Sequence, residues 1–308
     1  MQRYIVRRLT QGVITLAIVV VAVFFLFQVI GDPARRSLPL NSTEQQIEEY
    51  RQATGLADPL MERLTRYLVG VVQLDFGTST TRGTPAMSAA LDAVPRSLAL
   101  AAVSFVFMVG GGLVLGIAAG INPDSRTDRS VQAIGAIAAS IPEFWSGLVL
   151  ILFLAVYLGL FPTGGYGGLH YAILPALAMA IPPMGRLIFV VRESVRAVLR
   201  EPYILVARSK GLPARKLISN HILRAAMVPI VSIGGLELTR MAIGGVVVIE
   251  SVFAWPGIGR LYVEAMDRFD LPLISATLFC ATTIVLIMNI LIDILYVWID
   301  PRVDLASA

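Results

Sequence analysis

The chain is short of the residues that most chemistry needs. Its 308 residues include one cysteine, Cys280, and two histidines, His170 and His221. A single cysteine forms no intramolecular disulfide and no cysteine-based metal site. Two histidines so far apart make no histidine-rich centre. No segment reads G-x-x-x-x-G-K-[ST], so the chain carries no recognisable phosphate-binding loop. No Ser/His/Asp set, zinc motif or pair of active-site carboxylates argues for an enzyme. Charge is scarce as well, since Asp, Glu, Lys and Arg make up 15% of the residues, against about 25% in ordinary globular domains. The net charge of +4 is mild, and no nucleic-acid partner is expected.

Apolar side chains fill the gap, at 56% of the residues with a mean hydropathy of +0.76. Such a chain cannot be wetted on all sides, and it reads as an all-α integral membrane protein. Six stretches are long and apolar enough for a bilayer core of about 30 Å: 13–30, 98–121, 131–160, 171–191, 227–249 and 273–298. The third is broken only at Ile141-Pro142-Glu143 and is expected to be one kinked, tilted helix. The first has Arg3, Arg7 and Arg8 before it but no small-x-small cleavage site after it, so it is read as a retained helix. Basic residues set the orientation. With the N-terminus inside, the inner segments hold Arg3, Arg7, Arg8, Arg126, Arg129, the cluster from Arg192 to Arg224, and Arg302, while the short outer loops hold only Arg260 and Arg268. Both termini are expected in the cytoplasm.

The organisation expected is a first helix over 1–30, an extracytoplasmic helical subdomain over 31–96, a five-helix core over 97–300 and a tail over 301–308. In the subdomain, Ser42 with Gln45 resembles a capping box and Thr54-Gly55 a helix stop. Asp58-Pro59 then opens an amphipathic helix with Leu60, Leu64, Tyr67, Leu68 and Val71 on one side. In the inner segment 192–225, Pro202 suits a first helical position, Gly211 a left-handed stop and Pro213 a second start. Two short basic helices follow, either a collar on anionic lipid or a lever for a cytoplasmic partner.

That segment carries a resemblance. Leu205-Val206-Ala207-x-x-x-Gly211, with His221 beyond it, resembles the EAA loop of bacterial ABC importer permeases, although Leu205 and Val206 stand where that motif has Glu and Ala. Further marks of the dipeptide, oligopeptide and nickel branch run along the chain. They are Gly31-Asp32-Pro33, Thr54-Gly55-Leu56, Asp75-Phe76-Gly77-Thr78-Ser79, Ser140-Ile141-Pro142-x-Phe144, Phe161-Pro162-Thr163-Gly164-Gly165, Phe253-Ala254-Trp255-Pro256-Gly257-Ile258-Gly259-Arg260 and Asp300-Pro301-Arg302. The resemblance implies a type I importer permease fold that carries no cofactor itself. It also implies a sister permease, two ATP-binding cassette subunits or one fused ATPase holding ATP and Mg, an external binding protein and a peptide cargo. Tyr203, Leu205, Val206, Ala207, Arg208, Lys210, Gly211 and His221 would then couple to the ATPase. Trp255, Pro256, Gly257 and Asp267, in the outer loop 250–272, would meet the binding protein or gate the entrance.

Ionisable groups inside a bilayer need a reason. Glu237 and Arg240 lie on one face of the fifth stretch near its middle. Either they line a path, Arg240 meeting a peptide carboxylate and Glu237 its amine, or they pair to hold helices together. Glu143, at the proline break, is a third path candidate, and Asp293 is expected to bond between helices. Gly112, Gly116 and Gly120 form a strip for close helix packing. The rival reading is an ion-gradient-driven transporter with Glu237 or Asp293 as the coupling acid.

Overall fold

The structure, a computed structural model, describes residues 2–29, 34–35, 38 and 42–299. Gly31-Asp32-Pro33, Asp300-Pro301-Arg302 and the tail lie outside these, as do the side chains of Leu205 and Arg208. The described residues are helical apart from turns and one isolated bridge between Thr78 and Pro85. The helices are α1 (Gln2–Val29), α2 (Glu44–Ala53), α3 (Leu60–Val72), α4 (Ala86–Ile121), α5 (Arg126–Ser140), α6 (Glu143–Leu150), α7 (Leu169–Leu199), α8 (Pro202–Ser209), α9 (Ala214–Leu217), α10 (Leu223–Arg240), α11 (Val246–Val252), α12 (Ile258–Asp267) and α13 (Leu271–Ile299). Wider π turns extend α6 over Ile151–Tyr157, α9 over Ile218–Ile222 and α10 over Met241–Gly245.

Among the described residues, four helices are long and apolar enough to cross a membrane: Arg7–Gln28 within α1, then α4, α7 and Leu271–Ile294 within α13. A fifth crossing arises if α5 and the extended α6 are taken as one broken span. Here the expectation of one kinked helix fails, because the two pieces turn by 105° at the break. Ile141 is extended (φ −79°, ψ 129°) and so is Pro142 (φ −63°, ψ 141°). Proline drives its predecessor out of the α region and brings no N–H. Two consecutive extended residues therefore end one helix before another begins.

The chain divides into two compact units, Met1–Arg96 with Pro256–Ile287, and Ser97–Trp255 with Met288–Ala308. In the first, Ala86, Ala90 and Ala93 line one face of α4. They are buried with Ile258, Leu261 and Ala265 of α12 and with Leu273, Ile274, Ala276 and Cys280 of α13. The α2 cap falls one residue later than Ser42: the Thr43 hydroxyl accepts from the Gln46 N–H, and the Gln46 side chain accepts from the Thr43 N–H. Gly55 closes the turn at φ +68°, and α3 starts after Pro59.

A buried carboxylate fastens this unit. Asp270 precedes α13 and accepts from Ser79 Oγ at 2.5 Å, Thr81 Oγ1 at 2.7 Å, the Thr81 N–H at 3.0 Å and the Leu273 N–H at 3.2 Å. It ties the 77–85 turn to the start of the last long helix. Burial alone would push this carboxyl up. The hydrogen bonds from Ser79, Thr81 and Leu273 outweigh it and hold the group below the usual carboxylate range.

In the second unit α4 lies against α7. A Cβ on Gly112 would stand 2.6 Å from Leu187, one on Gly116 2.6 Å from Val191, and one on Gly120 2.8 Å from Val195. The glycine strip is thus a close-packing seam. Across α7, Gly185 admits α5 so closely that a Cβ would meet the Gly135 carbonyl and the Ala139 N–H at 2.5 Å each. Pro175, Pro182 and Pro183 lie inside α7. Pro182 cannot donate to the Ala178 carbonyl four residues back, and the Ser146 hydroxyl of α6 reaches that carbonyl at 3.0 Å, sharing its hydrogen with the Glu143 carbonyl at 2.7 Å. A polar group freed inside an apolar environment is thereby satisfied by a neighbouring helix.

Asp270→Asn should cost about 2 kcal/mol near neutral pH, the scale of losing charged acceptor bonds at a buried site. A carboxyl lowered on folding stabilises fully above its unfolded value, about pH 4, and the contribution is lost as pH falls through the folded value. The melting-temperature gap between wild type and variant in detergent should therefore shrink on acidification. A gap independent of pH would show that the carboxylate charge does not hold the turn.

Candidate functional site

Three groups of residues in the structure bear on function. The basic elbow between α7 and α10 forms as the Pro202 and Gly211 signals predict, with α8 starting at Pro202 and Gly211 at φ +76°. Its helix is two-sided. Ile204 and Ala207 point into the core, while Tyr203 and Val206 are 46% and 55% exposed. Lys210 and Gly211 are exposed and His221 is half-buried. Leu217 and Ile222 bury on the far side of the turn. Spacing three residues apart puts Ile204 with Ala207 on one face and Tyr203 with Val206 on another. Of the expected coupling residues, Ala207 is therefore an anchor, and the apolar surface belongs to Tyr203 and Val206.

The second group is ionic. Glu237 on α10 is 1% exposed. Arg186 on α7 grips it with both arms, Nε to Oε1 at 2.6 Å and Nη2 to Oε2 at 2.8 Å. Arg240, one turn along α10, reaches Oε1 at 3.3 Å. The Glu237–Arg240 contact, one of the two alternatives left open by the sequence, exists but is the weaker one. Sequence reasoning missed Arg186, though the signal was there: an arginine near the middle of an apolar span needs an anion just as Glu237 needs a cation. Glu143, at the start of α6, lies within electrostatic reach of both Arg186 and Glu237. Its carboxylate lies against Gly245, where a Cβ would be 2.8 Å from Oε2.

A second ion pair ties the start of α5 to the end of α7. Asp128 is fully buried and takes Arg192 Nε at 2.5 Å and Nη2 at 2.9 Å. It also accepts from the Asp124 N–H at 2.8 Å and from Gln132 at 3.0 Å. All its acceptor sites face donors, so the charge is solvated by the protein.

The third group joins two glycine motifs. The Gly165 N–H donates to the Phe253 carbonyl at 2.7 Å, and a Cβ on Gly164 would stand 2.4 Å from that oxygen. Trp255 is 3% exposed and meets Tyr166 edge-on at 5.0 Å. The Trp255 ring is therefore packed inside the second unit. Tyr166 is the partner that the motif alone did not reveal. In the first unit Gly257 is buried, Pro256 half-buried and Asp267 exposed. Among the described residues no three His, Cys, Asp or Glu side chains gather to hold a metal.

A multi-pass helical membrane protein with buried charges paired between its helices and a basic, two-faced elbow is a transport component in class. The chain belongs to the family described as binding-protein-dependent transport system inner membrane component, matched over residues 112–305, and its N-terminal part matches that system's N-terminal membrane component over residues 1–101. It is 34% identical over 316 residues to the oligopeptide transport system permease protein AppB of Bacillus subtilis (strain 168), covering 99% of this chain and 100% of that one. It is 34% identical over 304 residues to the glutathione transport system permease protein GsiC of Salmonella paratyphi A, covering 98% of this chain and 99% of that one. In fold it is similar to a chain of the MetNI methionine ABC transporter solved in inward-facing conformations, with a TM-score of 0.58 and 20% identity over 69% of this chain and 97% of that one. The chain is thus an inner-membrane component of a binding-protein-dependent transport system, and the gradient-driven alternative finds no support.

Glu237→Gln should lower stability by about 1–3 kcal/mol, because it removes the charged acceptor of the partly exposed Arg186. Joint replacement with Arg186→Met and Glu237→Leu should recover most of that loss. Thermal unfolding of the assembled complex in detergent measures both. A double variant no more stable than the single would refute the pair as the source.

Proposed function

We infer that this chain is one permease subunit of an ATP-driven importer of peptides, forming half of the translocation path beside a sister permease. It spans the membrane six times with both termini in the cytoplasm: α1, α4, the bent α5–α6, α7, α10 with α11, and α13. The relatives that match nearly the whole chain carry oligopeptide, peptide or glutathione in their names, and this supports a peptide cargo. ATP and Mg belong to two ATP-binding cassette subunits or one fused ATPase, and this chain needs no cofactor. An external binding protein delivers cargo to the outer face, formed by the helical subdomain within 31–96 and the loop 250–272, where Asp267 and Pro256 remain available for contact.

One observation carries the reading: the exposed pair Tyr203 and Val206 on a basic cytoplasmic helix whose other face is anchored by Ile204 and Ala207. Against lipid headgroups alone, arginine and lysine would suffice. An apolar knob held rigidly on a short helix suits a cleft in another protein, where buried aromatic and aliphatic side chains dominate binding. Closure of the ATPase subunits on ATP then pushes the elbow, and the core behind Ile204 passes that motion to α7 and α10.

Val206→Glu and Tyr203→Ala should each weaken binding of the ATPase subunits by about tenfold or more, the scale of an interface hot spot. Transport and binding-protein-stimulated ATP hydrolysis should fall together, while the chain remains inserted and paired with its sister. Co-purification and ATPase assays in nanodiscs measure this. Normal co-purification of the ATPase with both variants would sink the coupling role of the elbow.

A further inference from the structure

The charge cluster on α6, α7 and α10 holds two acids and two arginines, and these four groups are not equally used. Glu237 is buried, with both oxygens occupied. Its fork fixes Arg186, whose side chain is 36% exposed, and steadies Arg240, whose side chain is 57% exposed. Glu143 is half-buried, and among the described residues its carboxylate makes no salt bridge. The α10 helix widens into a π turn at Met241–Gly245 directly after Arg240, and the Glu143 carboxylate lies against Gly245 in that turn. Single π turns inside helices recur at functional sites.

We propose that this cluster is a receptor for a zwitterion inside the path, Arg240 taking the carboxylate of the passing solute and Glu143 its ammonium, with Arg186 and Glu237 as positioning residues. The assignment rests on the importer reading above and deepens it. An arginine more than half exposed on an intramembrane helix faces water or a partner, because lipid would charge several kcal/mol for it. The cluster is neutral overall, so an ion of one sign would enter uncompensated. A molecule bearing both a carboxylate and an ammonium suits the more exposed arginine, Arg240, and the acid without a salt bridge, Glu143. Glu237 is the acid that the sequence pattern offers for the amine, but the structure spends it on Arg186 and leaves Glu143 open.

The test uses the assembled complex in proteoliposomes, with alanyl-phenylalanine as probe. Cys280→Ser first removes the single, buried thiol. Arg240→Cys in that background should lower uptake about tenfold, the loss of one charge-assisted contact. Aminoethyl methanethiosulfonate, which reinstalls a cation, should restore most of it, and the sulfonatoethyl reagent should not. Glu143→Cys should show the reverse preference. Saturating dipeptide should slow modification at both positions. Thiols that react with neither reagent during transport would place these residues against lipid or the sister subunit and overturn the proposal. Equal rescue by both reagents, or modification indifferent to dipeptide, would also overturn it. Failure of the importer reading looks different: the unmodified wild-type complex would show neither uptake nor ATP hydrolysis stimulated by the binding protein.

Discussion

A charge taken into hydrocarbon must find its solvent in the protein, and the bidentate contact between Arg186 and Glu237 is where this chain meets that demand. The guanidinium fork matches the carboxylate in plane and spacing, so two strong bonds form with one orientation. Because the partners sit on α7 and α10, the pair fixes the register of those two helices as well as neutralising them. Arg240 inherits its position from the same carboxylate. The Asp128–Arg192 fork repeats the solution between α5 and the far end of α7. With an ion pair toward each of two neighbours, α7 is the element around which the second unit is arranged.

The backbone follows the same rule. Three prolines in α7 remove donors from a helix that must satisfy its own carbonyls, and the Ser146 hydroxyl answers the one left open at Ala178. Gly112, Gly116, Gly120 and Gly185 let α4 and α5 approach α7 until backbone meets side chain, which replaces hydrophobic drive with contact area in a medium where apolar surface gains nothing by leaving lipid. In the first unit the answer is Asp270, which gathers hydroxyls and amides from a distant turn. Each device spends a polar or very small residue where a soluble protein would spend a leucine.

Much of this was legible along the chain. The apolar runs located α1, α4, α7 and α13, because 1.5 Å per residue over a bilayer thickness leaves little freedom. Pro202, Gly211 and Gly55 marked helix ends through backbone geometry that needs no neighbours. Motifs in series indicated the family that the comparisons then established. The α2 cap was misplaced by one residue because Ser42 and Thr43 carry the same hydroxyl, and only the turn decides which faces the helix. The break at Ile141-Pro142 was underestimated because a proline codes for a missing donor, while the angle depends on what the two halves pack against.

The sequence by itself determined that the chain is a helical membrane protein, roughly where its apolar helices lie, and that Glu237 and Arg240 are costly enough to matter. These are local or one-dimensional properties, set by hydropathy, proline, glycine and the sign of charge. The tertiary structure alone decided who meets whom: Arg186 rather than Arg240 as the main partner of Glu237, Ser146 under the Ala178 carbonyl, Ser79 and Thr81 on Asp270, and Tyr203 with Val206 outward while Ile204 and Ala207 turn in. Pairing of this kind depends on distances across helices far apart in sequence, and a pattern along one chain carries no measure of them.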